Sequence, residues 1–317
     1  MEFYGINAFF IREYIGFKRN LGYAFRTEYT FRMFDNFTIE NGATTVGLTK
    51  ELAEKWAAKR ANESDITRYK RVNEVINFSI YINNLGYQSY IPRQARYCQT
   101  TFIPYIFSNE KLKSFFAACE RIEVYGNSTI KYVLPVIFRV IYGCGLRANE
   151  ALSLKCADVF IDKKYIIIRE PKNGHDRMLP ISKSLADICA LYQKQKLSNH
   201  TMEDYFFTQK NMRKYAVNTL YRWFRIILWK AGISNGGWGI GPRVHDLRHS
   251  FSVHSLESMS RSGLDLYYSL PILSNYLGHK SLETTDKYVR LTSEMYPELM
   301  KEVDNICAYL FPEVRIQ

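Results

Sequence analysis

The sequence predicts a mainly α-helical protein with one small β-sheet (α+β), arranged as two domains. Apolar residues recur at helical spacing along most of the 317 residues, whereas only two short runs near the middle are rich in β-branched residues. A polar, basic stretch containing proline interrupts the helical periodicity between residues 90 and 104. This break separates a predicted domain at 1–104, with a linker from about 90, from a second domain at 105–317 that includes a C-terminal tail helix.

The first domain is predicted to be a bundle of four helices. Apolar spacing is helical over residues 9–17, 29–39, 52–58 and 66–85, and breaks containing glycine separate these segments. Thr49 precedes the third segment and is a residue type that caps helix N-termini. In the linker, Arg93 and Arg96 suit a segment that lies along phosphates, although the same composition also fits an ordinary solvated connection.

The second domain is predicted to place a β-hairpin among helices. Helical spacing covers residues 110–120, 129–142, 183–196, 211–231, 245–258, 266–277 and about 282–310. The β-rich runs 164–169 and 177–181 flank Asn173-Gly174, a dipeptide typical of hairpin turns. Near the C-terminal end, we expect Gly278 to follow the end of one helix and Ser281 to cap the next.

The composition favours a polyanionic partner. The 43 Lys and Arg residues outnumber the 31 Asp and Glu residues, which gives a net charge of +12 and suits nucleic acid or an anionic membrane surface. No segment approaches the roughly 20 apolar residues that a membrane-spanning helix needs. The six cysteines form no CxxC pair, so we expect free, buried thiols in a reducing cytoplasm and no metal site.

Two of five short motifs place cationic side chains next to turns. Arg147 follows two glycines at a predicted helix start, and Glu150 lies one turn later. An arginine there combines a bidentate guanidinium with free backbone N–H groups, which suits a phosphate. Lys172 lies beside the predicted hairpin turn, where a loop can carry its ammonium group to a leaving oxygen.

The other three motifs place histidine, arginine and tyrosine near the C-terminal helices. His245 and Arg248 are three residues apart and therefore share a helix face. His279 lies in a tight turn between two helices, and Tyr288 follows nine residues later. Taken singly, each motif also fits a structural role, such as a surface ion pair, a capping histidine or a packing tyrosine.

Taken in order, these motifs resemble one known family. The segments GLRANEAL, PKNGHDRMLPI, HDLRHSF and LGHKSLETTDKYV resemble the tyrosine recombinases, also called the phage integrase family. The resemblance covers roughly residues 109–295, and residues 1–104 look like the helical core-binding domain of that family. It implies that the second domain is a catalytic domain that cleaves and rejoins DNA strands without a metal ion, ATP or another cofactor.

The resemblance assigns the positively charged residues to the scissile phosphate. Arg147 and Arg248 match the two arginines that clamp this phosphate, and His279 matches its third ligand. Glu150 matches the acidic residue that assists the arginines. Guanidinium groups can stabilise the charge that builds on the nonbridging oxygens without a metal ion.

The resemblance assigns the remaining residues to bond making and proton transfer. Tyr288 matches the nucleophile, which divides the reaction into two steps through a 3′-phosphotyrosyl ester. His245 matches the residue that helps to remove the proton from this nucleophile. Lys172 matches the hairpin lysine that acts as general acid for the departing 5′-oxygen, and Lys163 and Lys164 lie nearby.

Basic residues outside these motifs are candidates for DNA contacts. The region 210–230 interleaves basic and aromatic residues, and in the family this helical region approaches the major groove. A solvated helix face is the alternative. The candidates in this region are Lys210, Arg213, Lys214, Arg222 and Arg225. Weaker candidates in the first domain are Arg68, Lys70 and Arg71.

The sequence therefore predicts a site-specific DNA recombinase, cytoplasmic and nucleoid-associated, that exchanges strands through a Holliday junction. The alternatives are a type IB topoisomerase-like enzyme that relaxes DNA, and a non-catalytic DNA-binding protein on the same fold. The implied partners are a double-stranded recombination site, further copies of the chain as a dimer on one site and a tetramer in synapsis, and an accessory DNA-bending protein.

An apolar stripe follows Tyr288. Apolar residues recur at spacings of three and four over residues 291–310, which predicts a tail helix with one apolar face. The tail either completes the core of its own domain or docks on a neighbouring protomer, as in many members of the family.

Overall fold

The chain folds into two compact units, Met1–Phe102 and Ile103–Gln317. The computed structural model describes residues 2–23, 25, 27–97, 103–124, 128–169, 176–237, 241–279 and 281–296. Lys172, the turn of the predicted hairpin and the tail beyond 296 lie outside the described residues. Within the described part, no helix is long and apolar enough to cross a membrane.

The first unit contains the four predicted helices. They are α1 (Ala8–Asn20), α2 (Glu28–Glu40), α3 (Lys50–Ala57) and α4 (Asp65–Asn84). Thr49 caps α3 as expected, because its side chain accepts a hydrogen bond from the backbone N–H of Leu52. Their inward faces form an aromatic core around Tyr14, Phe31 and Trp56.

The DNA-binding prediction for Arg71 is wrong, because this residue belongs to the core of the first unit. Its side chain is 3% exposed and forms a two-pronged ion pair with Glu63, with N···O distances of 2.7 and 2.8 Å. It also donates to the backbone carbonyls of Trp56 and Ala58. Each of its three guanidinium nitrogens therefore donates to a partner within the protein. Nearby, Lys70 is exposed, and the half-buried Arg68 donates to the carbonyl of Ala57.

The second unit combines eight described helices with one small sheet. The helices are α5 (Asn109–Glu120), α6 (Ile130–Gly143), α7 (Ala148–Leu152), α8 (Lys183–Lys196), α9 (Val217–Lys230), α10 (Val244–Arg261), α11 (Leu266–Leu277) and α12 (Glu283–Met295). The strands are β1 (Val159–Phe160), β2 (Tyr165–Ile168) and β3 (Arg177–Pro180). Both strand pairs are antiparallel, in the order β1-β2-β3.

Helix α10 is the element that positions the site. It packs against α6, α11 and α12, and its residues Val253 and Leu256 share an apolar cluster with Leu277 and Tyr288. Its buried polar side chains are hydrogen-bonded: Ser250 and Ser252 donate to carbonyls one turn earlier on the helix. Residues of α10 that face inward are thereby held against both α11 and α12.

Two local predictions differ from the structure, and one element was not predicted. Helix α9 begins at Val217 rather than 211, because residues 208–214 form an antiparallel bridge and turn in which Met212 has a positive φ. Helix α12 is preceded by Leu282 instead of Ser281 as its cap residue, and no side chain caps it. Strand β1 was not predicted, since two residues are too few for a periodic signal. The described cysteines are free, as expected.

Candidate active site

The junction between α6 and α7 places Arg147 and Glu150 together. Arg147 is the N-cap residue of α7, and its backbone N–H donates to the Glu150 carboxylate at 3.0 Å. The Arg147 guanidinium donates to the other oxygen of the same carboxylate at 2.7 Å. One acidic side chain therefore starts the helix and orients the arginine that precedes it, as the i,i+3 spacing predicted.

Gly145 gives the turn before Arg147 its shape. Its φ is +58°, and a Cβ atom there would lie 2.5 Å from the Phe251 ring and 2.8 Å from the Leu277 side chain. Both the backbone conformation and the close packing thus require glycine. The turn leaves the Gly145 carbonyl pointing at the guanidinium of Arg248, which donates to it at 2.7 Å.

Arg248 on α10 is the most deeply buried cation of the site, at 1% exposure. Besides Gly145, it donates to the carbonyl of Leu277 at 2.8 Å, and its nearest carboxylate oxygen, on Glu150, lies 3.9 Å away. Burial, together with the charge of Arg147, lowers the pKa of Arg248 to about 10. Carbonyl dipoles fix the guanidinium without neutralising it, which leaves it able to attract an anion.

Arg177 on β3 is a third guanidinium at the same carboxylate, and the sequence did not single it out. It donates to Glu150 at 2.8 Å, and its Nε is buried without a hydrogen-bond partner among the described residues. Burial would raise the pKa of Glu150, but Arg177 and Arg147 hold it below its ordinary value. One carboxylate faces three guanidiniums here, so the cluster keeps an excess of positive charge.

His279 lies beside Arg248 immediately after α11. Gly278 has a φ of +66° and its backbone passes close to Arg177. The His279 Nε2 is 3.0 Å from Nη2 of Arg248, and its Nδ1 is 2.8 Å from the Thr285 hydroxyl. A guanidinium can only donate, so we assign the imidazole proton to Nδ1 in this state. Burial and the charge of Arg248 lower the pKa of His279 to about 3.

Tyr288 lies on the inner face of α12 and is 1% exposed. Its hydroxyl is 2.8 Å from Nδ1 of His249, the residue that directly follows Arg248. Burial raises the pKa of the phenol, and the charges of Arg248 and Arg147 oppose this rise. The tyrosine ring also lies nearly parallel to the ring of His279, with centroids 6.2 Å apart.

His245 lies at the open side of this cluster. Its side chain keeps access to solvent, while its ring packs edge-on against His249 with centroids 4.6 Å apart. Partial desolvation, followed by the charges of Arg248 and Arg147, lowers the pKa of His245 to about 4. A cleft of about 580 Å³ opens beside it and is lined in part by Tyr221, Arg225 and Arg243.

The structure thus brings together most of the predicted catalytic residues, and Lys172 lies outside the described part. The sequence prediction missed Arg177 and His249. The only sequence signal for His249 was its position directly after Arg248. For Arg177 it was the position at the start of the second β-rich run. Within the described residues, no group of three or more His, Cys, Asp or Glu side chains is placed to hold a metal ion.

The predicted DNA contacts are exposed, except for the half-buried Arg68 and the buried Arg71. Arg222 and Arg225 lie on the exposed face of α9. The turn before α9 exposes Lys210, Arg213 and Lys214, and the segment after α4 exposes Arg93 and Arg96. All seven side chains are available to a partner.

Two relatives and one solved structure describe what the chain is similar to. The integrase/recombinase y4rB of Sinorhizobium fredii is 28% identical over 93% of this chain and 96% of its own length. The tyrosine recombinase XerA of Pyrococcus horikoshii is 32% identical, but the alignment spans only about half of each chain, 53%. The Tn1549 transposon integrase has been solved in complex with transposon right end DNA. It matches this chain with a TM-score of 0.64 at 14% identity, and the match covers 90% of this chain and 98% of that one. The two chains therefore share a fold.

A family profile settles the classification. The profile of the phage integrase family matches residues 106–295, which is more than half of the chain and contains every motif described above. The protein therefore belongs to the phage integrase family, the tyrosine recombinases, as its ordered motifs predicted.

Proposed function

We propose that the protein is a site-specific DNA recombinase that cleaves and rejoins strands through a covalent 3′-phosphotyrosyl intermediate and a Holliday junction. The observation that carries the proposal is that a buried tyrosine lies close to a cluster of arginines whose positive charge exceeds that of its one carboxylate. Arg248 lies within hydrogen-bond reach of His279 and near Glu150, which pairs with Arg147. Tyr288 lies against the same helix.

The arginine cluster is the proposed site of the scissile phosphate. Arg147 and Arg248 act as its clamp, and Glu150 and Arg177 keep the two guanidiniums in place. His279 can donate from Nε2 to a phosphate oxygen once its proton moves from Nδ1, because the Thr285 hydroxyl can then donate to Nδ1. The excess positive charge stabilises the transition state, where negative charge on the phosphoryl oxygens is greatest.

Tyr288 is the proposed nucleophile. Its oxygen forms a bond to phosphorus while the bond to the 5′-oxygen breaks, and Lys172 supplies the proton that the departing oxygen needs. Rejoining reverses these steps with the 5′-hydroxyl of another strand. The phosphotyrosyl ester conserves the energy of the broken bond, so no nucleotide cofactor is needed.

The proposed DNA surface surrounds the cleft beside His245. Arg225 on α9 lines this cleft, and Arg222 and the basic turn before α9 expose further positive charge. Such side chains position a duplex through its phosphates, and those that reach base edges supply specificity. The related Tn1549 integrase is solved with transposon end DNA, which supports a double-stranded DNA partner.

Covalent capture tests the proposal. The probes are nicked suicide duplexes tiled across the genomic DNA on either side of the gene, since inverted repeats there are candidate sites. We expect a protein–DNA adduct from the native protein and none from Tyr288→Phe, because phenylalanine has no oxygen to attack phosphorus. Tyr268→Phe, at an exposed tyrosine, is the matched control and should form the adduct normally.

The same duplexes separate the rival activities. Exchange between two labelled duplexes indicates a recombinase, whereas relaxation of supercoiled DNA without exchange indicates a topoisomerase. Adduct formation by Tyr288→Phe would mean that another of the 24 tyrosines is the nucleophile. Binding with no adduct from any variant would identify a non-catalytic DNA-binding protein.

We further propose that the protein assembles on DNA as a dimer on one site and as a tetramer in synapsis. An accessory DNA-bending protein takes part where the site requires one. The apolar stripe predicted beyond Tyr288 is the element proposed to link protomers. Truncation after Tyr296, whose ring still contacts the apolar cluster of α10 to α12, should preserve binding to one site and abolish synapsis. A gel that resolves single-site and synaptic complexes measures this, and a truncated protein that recombines at the full rate would contradict it.

A further inference from the structure

The nucleophile candidate already has a hydrogen-bond partner in the free protein. The Tyr288 hydroxyl lies 2.8 Å from Nδ1 of His249, and both side chains are buried. His249 is one residue beyond Arg248 on α10. Arg248 reaches His279, and His249 reaches Tyr288. The side chains of Arg248 and Ser252 also interact with the Tyr288 hydroxyl. No role has been assigned to His249 so far.

The direction of this hydrogen bond follows from the charge around it. His249 is neutral at pH 7, because burial, followed by the charges of His245, Lys287, Arg243 and Arg248, lowers its pKa to about 2. A neutral imidazole has one N–H and one acceptor nitrogen. A neutral phenol is the better donor, so the Tyr288 O–H donates to Nδ1, and the imidazole proton resides on Nε2.

We propose, resting on the function proposed above, that His249 is a catalytic residue that holds the Tyr288 hydroxyl and accepts its proton as the O–P bond forms. The Tyr288 oxygen gains a bond to phosphorus, and its proton passes to His249 Nδ1. The bond from phosphorus to the 5′-oxygen breaks, and that oxygen takes a proton from Lys172. When the strand is rejoined, the proton on His249 returns to the tyrosine oxygen.

The surrounding charges make this proton transfer depend on DNA. The charged groups that act most strongly on His249 are all basic: Arg248 on α10, Arg243 just before it and Lys287 on α12. In the free protein they oppose a second proton on the imidazole. A phosphate diester bound among the arginines brings a compensating negative charge within the same poorly solvated space, where such interactions are strong. Activation of Tyr288 is thereby coupled to the arrival of its substrate.

The assignment divides the work of two neighbouring histidines. His249 contacts the reacting oxygen, whereas the ring of His245 packs edge-on against His249 and keeps access to solvent. The second histidine therefore contributes through the first, by placing its ring.

Single-turnover cleavage of the suicide duplex that captures the native protein is the first measurement. In His249→Asn the amide oxygen can still accept the Tyr288 hydrogen bond but cannot take its proton, and His249→Leu removes both functions. We expect both variants to cleave on the order of 100-fold more slowly, which is within the usual range for loss of a general base. A native cleavage rate in His249→Asn would overturn proton acceptance.

The matched control lies on the same helix. His254 Nδ1 is 2.9 Å from the Tyr142 hydroxyl, so His254→Asn perturbs an equivalent histidine–tyrosine pair outside the site. This variant should cleave at the native rate. If it slows cleavage as much as His249→Asn does, general disturbance of α10 explains both results and the proposal fails.

A substrate with sulfur in place of the bridging 5′-oxygen separates the two proton transfers. A thiolate is a better leaving group than an alkoxide and needs no proton. This substrate should rescue Lys172→Ala, which lacks the proposed general acid, and should leave the defect of His249→Asn in place. Rescue of His249→Asn to the native rate would assign the residue to the leaving group instead.

The pH profile provides a further readout. Without a proton acceptor, cleavage needs tyrosine that has already ionised, and below the raised pKa of Tyr288 that fraction grows about tenfold per pH unit. The rate of His249→Asn should therefore rise between pH 7 and 9 more steeply than the native rate. Parallel profiles would contradict the proposal.

The free protein gives a test that does not depend on finding the DNA site. In spectra of protein labelled with nitrogen-15 at histidine, the native His249 should show an Nε2–H tautomer with a hydrogen-bonded Nδ1. Tyr288→Phe should shift that Nδ1 resonance, and Tyr268→Phe should not. An unshifted resonance overturns the contact itself, whereas absence of any adduct from the native protein overturns only the proposed function.

Discussion

Two buried arginines, one in each unit, have opposite electrostatic surroundings. Arg71 in the helical unit pairs with both oxygens of Glu63 and stacks over the Trp56 ring, so its charge is neutralised locally. Arg248 is equally buried, but backbone carbonyls supply two of its contacts and its nearest carboxylate oxygen is 3.9 Å away. The charge of Arg71 is used to stabilise the first unit, whereas the charge of Arg248 remains able to attract an anion.

The difference lies in the partners and not in the burial. A guanidinium paired with both oxygens of its own carboxylate keeps little net attraction for phosphate, whereas one fixed by neutral carbonyls keeps its charge in a region of low polarity. This contrast also explains why Arg248 has a lowered pKa of about 10: burial and the neighbouring Arg147 both oppose its charge. An excess of buried positive charge thus distinguishes the proposed phosphate site from the surroundings of Arg71, whereas the degree of burial does not.

The largest expected effect is the loss of cleavage in Arg248→Lys. Lysine keeps the charge but cannot donate at once to Gly145, to Leu277 and to a phosphate oxygen, because its ammonium lacks the planar fork of a guanidinium. We expect cleavage of the suicide duplex to fall roughly 1,000-fold, as for loss of a transition-state hydrogen-bond donor. Binding to the duplex should change far less, since most contacts lie elsewhere.

Arg71→Lys is the counterpart for this measurement, because it alters a buried arginine that belongs to the core of the first unit. It should leave the rate of adduct formation per folded molecule unchanged. Equal losses of cleavage in both variants would show that the two arginines do not differ as the structure indicates.

The next effect is on the free energy of unfolding, where we expect substitution of Arg71 to have the large effect. Arg71→Met leaves the buried Glu63 carboxylate without its partner, and removal of one member of a buried ion pair costs about 3–5 kcal/mol. The urea midpoint of the first unit, followed by hydrogen exchange of its backbone amides, should fall accordingly. Adding Glu63→Gln should recover part of the loss, because no unpaired charge then remains; a double variant as unstable as the single one would contradict this.

The smallest expected effect concerns acid stability. The carboxyl pKa of Glu150 is held below its ordinary value in the folded protein, so the folded state is favoured while this group is ionised. Its contribution is complete above the unfolded-state pKa of about 4.3 and is lost as the pH falls through the lower folded-state value. Glu150→Gln should therefore unfold with a weaker dependence on pH below about 4.3, in urea titrations at several pH values. An unchanged dependence would mean that Glu150 is not stabilised by its arginines.

The fold was accessible from the sequence wherever one periodic pattern covered a whole element. The helices α1 to α4 and the strands β2 and β3 follow from local spacing, and Thr49 follows from the chemistry of a helix cap. The start of α9 did not follow, because residues 208–214 have the composition of a helix and are instead fixed by a bridge between Thr208 and Lys214. Pairing of this kind depends on neighbours that spacing alone does not show.

The site was accessible through ordered motifs, but its electrostatics were not. Arg71 and Arg248 have the same side chain, and only the folded chain shows that Glu63 neutralises the first. Arg177 lies 27 residues from Glu150, and His249 lies 39 from Tyr288, so neither contact leaves a short-range pattern. Tertiary pairing decided which charged residues were structural and which remained available.

The two faces of α9 bear on attempts to retarget such an enzyme. Leu220, Phe224, Ile227 and Leu228 fill the core, whereas the opposite face exposes Tyr221, Arg222, Arg225 and Trp229. A combinatorial library confined to the exposed positions would vary the surface offered to a duplex and spare the packing of the helix. The carbonyls that hold Arg248 come from Gly145 and Leu277, outside α9. Sequence preference and bond chemistry can therefore be selected on separate parts of one domain.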